Sequence, residues 1–489
     1  MWVEKILHGD EQLRDWPVEG TVGYEFLNDA TALFVDPVGE AVLDGLWVEL
    51  SGDARPFADV ALDAQREQAS TTFAREVARL RALVDVPGIE DALASLGVYR
   101  TYVEPWSGQV DECDRRAVEE AGIEGRLADV LLLRERGHDE FVTRFQQTSP
   151  PVTAKGVEDT AFYRYLRLLA LNEVGGDPAR FSLSVDEFHA ANLERARRFP
   201  RALLITQTHD TKRGGDLRAR IGALAGMAGA WRERVGAWRE LNAVLLEGGA
   251  PDRVEEYLIY QTLVGAWPIE PERLEAYLQK ALREAKRTTS WVAPDEAYEA
   301  RVKRFALGLL EHRPFLDDFQ PFAAAVAREG RRSALGQTLL KLTAPGVPDV
   351  YQGDELTALN LVDPDNRRPV DWSARRAALD GLRAGTPPGA DTMKLFLIWK
   401  ALALRARRPE CFDERGGYEA LEAGPGVCAY RRGSDVLVVV GVRAWEGAVL
   451  RGAEGRWRDV LRGAELELGP RTAISEVTNA DGLALLVRF

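Results

Sequence analysis

Cysteine, histidine and long apolar runs are all scarce in this sequence. Its 489 residues include 3 cysteines and 5 histidines. The cysteines, Cys113, Cys411 and Cys428, have neither metal-site nor redox spacing, so we predict buried thiols in a reducing compartment. No leader is recognisable at the N-terminus, and no uncharged apolar stretch reaches the roughly 18 residues that a membrane helix needs. We therefore expect a soluble cytoplasmic protein with no membrane partner.

Positive charge is in deficit as well. The chain has 63 lysines and arginines against 77 acidic residues, a net charge of −14. Nucleic acids and anionic membrane surfaces favour basic partners, so neither is an expected ligand. The hydrophobic fraction of 46% and the charged fraction of 29% are typical of ordinary globular proteins. This balance suits an enzyme that acts on a neutral substrate.

Several common catalytic motifs are missing. The glycine pairs at 175–176 and 214–215 lack the spacing of a phosphate-binding loop. No Gly-x-Ser-x-Gly elbow occurs, and the scattered histidines predict no metal site. We expect no cofactor and no metal. Carboxylates beside basic and aromatic residues remain for chemistry, and the 12 tryptophans and 12 tyrosines could hold sugar rings or simply fill the core.

Short apolar segments that run into polar ones predict a parallel barrel. Residues 1–7 alternate as in a strand, and residues 201–206 form a buried strand that ends in QTHDTKR. Residues 344–355 repeat the change from apolar to polar. Polar residues at the carboxyl ends of strands are typical of (β/α) barrels, in which chemistry lies on the following loops. Only about half of a barrel's strands are recognisable.

Helices are predicted between these strands. A proline-containing break near Pro150 precedes a predicted helix over 160–171, and another helix is expected near 391–407. Apolar residues at helical spacing predict the buried faces of two further helices. One face consists of Phe73, Val77, Leu80 and Val84, and the other of Leu274, Leu278, Ala281 and Leu282.

After residue 411 the pattern changes to short strands between glycine-rich turns. Segments 427–430, 436–440 and 483–489 predict an antiparallel β-domain. The fold class is α/β: the second half of a (β/α)8 barrel with large helical insertions and a C-terminal β-sandwich-like domain. The predicted divisions are barrel strands five and six (1–54), a helical insertion (55–200), strand seven with its catalytic loop (201–215), a second helical insertion (216–340), strand eight with closing helices (341–411) and the β-domain (412–489).

Four clusters could carry chemistry, and each has a simpler explanation. Glu4 could belong to an ion pair on an edge strand, and Asp210 could cap a helix. Asp159 or Thr160 could also be ordinary caps, and the segment 363–368 could be a plain turn. Paired carboxylates at strand ends also suit glycoside chemistry, where one protonates the glycosidic oxygen and another stabilises the positive centre.

Together these segments resemble the α-amylase family of glycoside hydrolases, and specifically its maltooligosyl trehalose synthase branch. The His209-Asp210 pair resembles the "HD" signature after strand seven, and residues 345–355 resemble the strand-eight segment. Seven segments resemble that branch and occur in the same order as in the family: 3–7 (VEKIL), 16–24 (WPVEGTVGY), 154–164 (AKGVEDTAFYR), 208–213 (THDTKR), 260–268 (YQTLVGAWP), 286–291 (KRTTSW) and 363–371 (DPDNRRPVD).

The resemblance implies a retaining glucosylmutase. Such an enzyme converts the reducing-end α-1,4 link of a maltooligosaccharide into an α,α-1,1 link. Glu4 would be the general acid/base, and Asp210 the third carboxylate, with His209 beside it. The residues implied for sugar binding are Lys155, Glu158, Asp159, Tyr163, Lys212 and Arg213, with Asp365, Arg367 and Arg368 closing the pocket.

The sequence departs from this family in one respect. The nucleophilic aspartate belongs to strand four, and no segment of the chain matches it. We therefore expect no activity from this chain alone, and an N-terminal half chain or a homo-oligomer mate is a predicted partner. Two alternatives stay open: an α-amylase-family hydrolase, and a catalytically silent carbohydrate-binding remnant.

Overall fold

A computed structural model describes residues 1–489. The strands are β1 (Trp2–Val3), β2 (Gly20–Thr21), β3 (Leu203–Leu204), β4 (Val347–Pro348), β5 (Glu419–Ala420), β6 (Val427–Arg432), β7 (Val436–Gly441), β8 (Val449–Arg451), β9 (Gly455–Asp459), β10 (Glu465–Leu468), β11 (Arg471–Ala473) and β12 (Leu483–Arg488).

Eighteen of the nineteen α-helices precede β5 and account for most of that part of the chain, and the last lies within the C-terminal β-domain. The nineteen helices are α1 (Tyr24–Phe34), α2 (Glu40–Ser51), α3 (Phe57–Ser70), α4 (Ala74–Leu83), α5 (Ile89–Ser95), α6 (Glu112–Glu120), α7 (Gly125–Leu131), α8 (Asp139–Thr153), α9 (Val185–Arg198), α10 (Gly215–Ala223), α11 (Ala228–Leu241), α12 (Arg253–Ala266), α13 (Pro271–Ala285), α14 (Glu296–Leu309), α15 (Arg313–Thr343), α16 (Trp372–Arg383), α17 (Met393–Arg407), α18 (Pro409–Phe412) and α19 (Ile474–Val477).

Two parallel strand pairs form the part of the fold that carries the candidate site. β1 pairs with β2, and β3 pairs with β4. The two pairs lie side by side, because a Cβ atom on Gly20 would come within 2.5 Å of the Ala202 side chain. The strand predicted over 1–7 is therefore wrong in length: only Trp2–Val3 pairs, and Trp2 is 40% exposed. β1 pairs with a strand on one side only, so few backbone hydrogen bonds are available to lengthen it.

The first helical segment has a core of its own, made by 23 buried residues from α3 to α8. Val77, Leu80 and Val84 belong to it as predicted, while Phe73 is half-buried just before α4. The break predicted at Pro150 is wrong, because Pro150 and Pro151 lie inside α8. The helix widens only afterwards, into a π-helical turn over Ala154–Glu158.

The helix predicted over 160–171 is also wrong. The segment contains two 3₁₀ turns, Ala161–Tyr163 and Leu169–Leu171. Side chains take the backbone bonds that a helix would make. Gln261 donates to the Leu166 carbonyl at 2.8 Å and accepts from the Leu169 N–H at 2.9 Å. Because the segment is buried on nearly every face, these tertiary bonds replace helical ones.

A larger core of 57 buried residues joins α2, α3 and the helices α10 to α15. The predicted face of α13 is confirmed, since its four apolar residues are all buried. Helix α15 spans 31 residues and reaches from this core to the C-terminal sheet. It packs along α10, which begins directly after the loop that follows β3.

The C-terminal β-domain is antiparallel, as predicted. Its main sheet has the order β10-β9-β12-β7-β6-β5, and β8 pairs with β11 beside it. One face of the sheet packs on α1, α9, α15 and α17 in a shared cluster of 29 buried residues. The other face covers a cluster of 13 residues inside the domain. The alternating strands are thus buried on both faces.

Candidate functional site

The loop after β3 is held as a tight turn. The Thr208 hydroxyl accepts the Asp210 N–H at 3.1 Å, and the Thr211 hydroxyl donates to the Thr208 carbonyl at 3.0 Å. This turn leaves His209 exposed and Asp210 half-buried at its tip. Helix α10 begins later, with Gly214 at its N-cap, so Asp210 is not a helix cap. Its carboxylate remains free to face a ligand.

The π-helical turn after α8 brings three of the predicted residues to the same place. Gly156 is required there, because a Cβ atom at this position would lie 2.6 Å from the Gln65 Cα. The close approach orders the turn against α3 and sets Lys155, Glu158 and Asp159 on the site side. Single π-turns within helices are often found at functional sites.

Lys212 links this turn to the β3 loop. Its Nζ lies 3.0 Å from Asp159 Oδ1 and 3.7 Å from Glu158 Oε2. Lys155 donates to the other oxygen of Asp159. Two ammonium groups and two carboxylates therefore alternate, and Lys212 and Glu158 are both buried.

The two neighbouring carboxylates have very different acidities. Burial raises the pKa of Glu158 to about 6, although the Lys212 charge opposes the shift. Burial also acts to raise the pKa of Asp159, but Lys212 and Lys155 outweigh it and bring that pKa to about 2. Both carboxylates keep the pKa of Lys212 above its ordinary value despite burial. At neutral pH the cluster therefore carries both signs of charge next to each other.

The charges of Glu4 and Asp210 both affect the pKa of one buried tyrosine, Tyr24. Tyr24 is 4% exposed, and its hydroxyl lies 2.9 Å from Thr208 Oγ1. Burial raises the pKa of Tyr24 above its ordinary value, and the negative charges of Asp210, Glu173 and Glu4 add to the shift. The charges of the predicted acid/base and third carboxylate thus both raise the pKa of the same hydroxyl.

Glu4 itself is exposed and forms no ion pair. Its neighbour Lys5 is buried and turns away, to Glu11 at 2.6 Å and to the Ile6 carbonyl at 2.8 Å. The ion pair within a strand that could have explained Glu4 is therefore absent.

The remaining predicted residues support the loops rather than open into the site. Arg213 is 3% exposed and donates to the Tyr277 hydroxyl at 3.1 Å and to two backbone carbonyls. Tyr163 is buried, which raises its pKa, and the charge of Lys212 opposes that shift. Asp365 is held by Arg273 at 2.8 Å.

The segment that contains Asp365 packs directly on the β3 loop. Arg367 donates to the His209 carbonyl at 3.2 Å, and the Asn366 amide donates to the same oxygen at 3.1 Å. Arg368 is exposed and lies 3.0 Å from Asp365 Oδ1. The plain turn considered for this segment is in fact a 3₁₀ turn, Asp365–Arg367, that holds the loop of His209 in place.

Sequence reasoning missed three residues of this neighbourhood: Tyr24, Tyr99 and Glu173. The Glu173 carboxylate accepts the backbone N–H of Lys212 at 2.7 Å and of Arg213 at 3.1 Å, and it pairs with Arg218 at 3.2 Å. No spacing marked Glu173, because its partners are about forty residues away. Tyr24 does lie in the string 16–24, where the aromatic residue next to Gly23 could have been singled out.

One cluster has the composition of a metal site but is already neutralised. Asp111, Cys113 and Asp114 lie within reach of a single ion. Arg14 binds Asp111 at 2.7 Å and Asp114 at 2.5 Å, so a guanidinium already supplies the positive charge.

No helix in the chain combines the length and the apolar character needed to span a membrane.

Comparisons with known proteins agree with the resemblance in the motifs. No protein-family model matches the chain. A protein of Mycobacterium tuberculosis named as a maltooligosyl trehalose synthase is 38% identical over 493 residues, which cover 94% of this chain and 62% of that protein. The structure of maltooligosyltrehalose synthase from Arthrobacter ramosus superposes with a TM-score of 0.87 at 36% identity, over 100% of this chain and 66% of that one.

A third relative has a similar structure. The Sulfolobus tokodaii structure described as a hypothetical maltooligosyl trehalose synthase is 29% identical, with a TM-score of 0.86, and the chain covers 65% of it. The chain thus spans slightly less than two thirds of the length of these relatives. The predicted resemblance is confirmed, and so is a mixed fold of helices and sheets that includes an antiparallel sheet.

Proposed function

We propose that this chain supplies the acid/base carboxylate and the reducing-end glucose pocket of a glucosylmutase that forms maltooligosyl trehalose. The proposed substrate is a maltooligosaccharide, whose last α-1,4 link is broken and remade as an α,α-1,1 link. The observation that carries the proposal is the cluster of Lys155, Glu158, Asp159 and Lys212 beside the Asp210 loop. The names of the relatives support the same reaction.

Glu4 is the proposed general acid/base. A general acid must reach the glycosidic oxygen, and Glu4 is exposed and unpaired. Asp210 is the proposed third carboxylate, which would hold sugar hydroxyls and stabilise positive charge at the anomeric carbon. The neighbouring His209 is exposed and able to contact the sugar.

The alternating charges suit the freed glucose. A sugar hydroxyl can donate and accept at once, so carboxylates and ammonium groups can hold it in pairs. Lys155 and Asp159 are the more accessible pair, while Lys212 and Glu158 are buried behind it. Tyr163 and Arg213 are proposed to support the pocket from below, and Asp365, Arg367 and Arg368 to close it through the His209 loop.

The proposed architecture is the second half of a (β/α)8 barrel, with β1 to β4 as strands five to eight. The two adjacent parallel pairs support this assignment. Segments 55–200 and 216–340 are the proposed insertions that enclose the freed glucose. Water must be kept out during its rotation, since hydrolysis would otherwise compete.

Retention at the anomeric carbon needs a nucleophilic carboxylate. No residue of the chain matches the family's nucleophile, so we propose that these 489 residues alone catalyse no turnover. The missing group would come from a polypeptide equivalent to the part of the relatives that the chain does not cover.

Product analysis on maltopentaose tests the proposal. The chain alone should give no product, while a mixture with the uncovered third of the A. ramosus enzyme should give a non-reducing trehalosyl saccharide. Glu4→Gln should abolish that product in the mixture. Release of glucose or maltose instead would favour a hydrolase, and turnover by the chain alone would refute the missing-nucleophile argument.

A further inference from the structure

Glu158 is a buried carboxylate with a single hydrogen-bond donor in the structure. That donor is the hydroxyl of Tyr99, which bonds to Glu158 Oε1. Its other oxygen faces Lys212 at 3.7 Å, beyond ordinary hydrogen-bond reach. Lys212 is instead bonded to Asp159 at 3.0 Å. The direction in which the Glu158 carboxylate points is therefore determined mainly by Tyr99.

Tyr99 comes from a distant part of the chain. It is 59 residues before Glu158 and follows α5 in the first helical segment. It is 8% exposed, and burial together with the charges of Glu158 and Asp210 raises its pKa well above the ordinary value. Its hydroxyl therefore stays protonated and acts as a donor, within the electrostatic range of Asp210.

The backbone around Tyr99 is fixed from two sides. Gln146 of α8 accepts from the Val103 N–H at 2.7 Å and donates to the Val103 carbonyl at 2.9 Å. Asp114 accepts the Tyr102 N–H at 2.7 Å and is in turn held by Arg14. These bonds tie the segment both to α8 and to the stretch that follows β1. These bonds restrict the backbone near Tyr99, and so the position of its hydroxyl at Glu158.

We propose that Tyr99 is a positioning residue for the sugar site: its hydroxyl fixes the Glu158 carboxylate so that the second oxygen faces Lys212 and the reducing-end glucose. The proposal rests on the proposed function for the identity of the ligand, but its geometric part does not. It also gives the first helical segment a direct role in the site, since that segment supplies the hydroxyl.

The chain offers a matched control outside the site. Tyr298 donates to the buried carboxylate of Glu255 in the same manner, on helices α14 and α12. Tyr298→Phe therefore also removes a tyrosine hydroxyl from a buried carboxylate, although Glu255 keeps a second donor, the Asp252 N–H at 3.2 Å. If the Tyr99 bond served stability alone, Tyr99→Phe and Tyr298→Phe would behave alike in sugar binding.

Binding of maltotriose to the 489-residue chain, measured by calorimetry, is the first test. At pH 7 we expect Tyr99→Phe to weaken binding about tenfold, the effect of losing one charge-assisted hydrogen bond, and Tyr298→Phe to leave it unchanged. Part of the deficit should disappear at pH 8.5, whereas the part that comes from lost positioning of the carboxylate should remain. Loss of the Tyr99 bond moves the Glu158 pKa upward, and at the higher pH the carboxylate is ionised in both proteins.

A second test needs no ligand. In protein labelled with ¹³C at the glutamate carboxyl carbons, the Glu158 signal is identified by its loss in Glu158→Gln. It should titrate at higher pH in Tyr99→Phe than in the unmodified chain, and unchanged in Tyr298→Phe. If maltotriose fails to bind even the unmodified chain, the proposed function fails, and this titration alone decides the role of Tyr99. A Glu158 titration unchanged by Tyr99→Phe would overturn the positioning role, whatever the sugar result.

Discussion

At the scale of single residues, Lys212 is the ion on which the candidate site depends. It is 5% exposed and lies between Glu158 and Asp159. Buried charges are tolerated when they are paired, and removal of one partner leaves the others buried without compensation. The function proposed for the pocket thus coincides with a strong local constraint on stability.

Lys212→Met should destabilise the fold by about 3 kcal/mol at pH 8, because it leaves two neighbouring carboxylates without their shared cation. The loss is measurable from urea unfolding monitored by circular dichroism. The half-exposed Lys155 provides the control, and Lys155→Met should cost about 1 kcal/mol or less.

The pH dependence of this loss has a definite sign. In the folded chain the pKa of Glu158 is about 6, above its unfolded value of 4.5, so ionisation opposes folding as the pH rises through 6. The pKa of Asp159 is about 2, below its unfolded value of 3.8, so its contribution is stabilising above pH 3.8. Without Lys212 both pKa values rise. The destabilisation should therefore be largest above pH 7 and shrink towards pH 5, and a pH-independent loss would contradict the ion-pair explanation.

At the scale of elements, the C-terminus of the long helix α15 is closed by two arginines. Arg405 donates to the Leu342 carbonyl at 3.0 Å, and Arg432 donates to the Thr343 carbonyl at 2.8 Å. Neither guanidinium has a carboxylate within ion-pair distance, although Arg432 is 2% exposed. Burial and the charge of Arg432 lower the pKa of Arg405 to about 10, so Arg405 remains protonated at neutral pH. The free carbonyls and the negative end of the helix dipole take the place of acidic partners.

Arg432→Met should lower the free energy of unfolding by about 2 kcal/mol, because it removes hydrogen bonds from a charged donor to buried carbonyls. Arg408→Met is a suitable control, since Arg408 is 41% exposed and its ion pairs are long, at 3.8 Å. That control should change stability by about 0.5 kcal/mol or less. Equal losses in the two variants would argue against the closure of α15 by Arg432.

The predicted elements that are confirmed are those whose apolar pattern matches their burial in the fold. The strands at 427–432 and 483–488 lie in a sheet buried on both faces, where apolar runs are expected. The helix predicted over 160–171 is wrong because the apolar pattern of this segment reflects its burial and not a helical conformation. Its backbone bonds go to Gln261 and Asn172, which local periodicity cannot reveal. In the site, the strings that carry Lys155 and Lys212 were recognisable, whereas Tyr99 depends on a contact across 59 residues.

At the scale of the whole molecule, the β-domain and the helical body share one core. The cluster of 29 residues contains Phe26 of α1, Leu339 of α15 and Val438 of β7. Polar contacts cross the same boundary: Thr343 to Tyr430 at 2.6 Å and His189 to Tyr418 at 2.6 Å. A boundary filled in this way resembles a domain interior more than a surface between independent units.

This packing predicts a single cooperative unfolding transition. Val439 lies on the far face of the sheet, in the cluster of 13 residues that belongs to the β-domain alone. Val439→Ala removes two buried methyl groups and should cost about 2 kcal/mol. Because the two parts unfold together, the loss should lower the melting temperature of the whole chain in calorimetry. The tryptophan fluorescence and the far-ultraviolet dichroism should shift with it. Two separate transitions, with only the smaller one moved by Val439→Ala, would mean that the β-domain unfolds on its own and that the shared cluster does not couple it to the body.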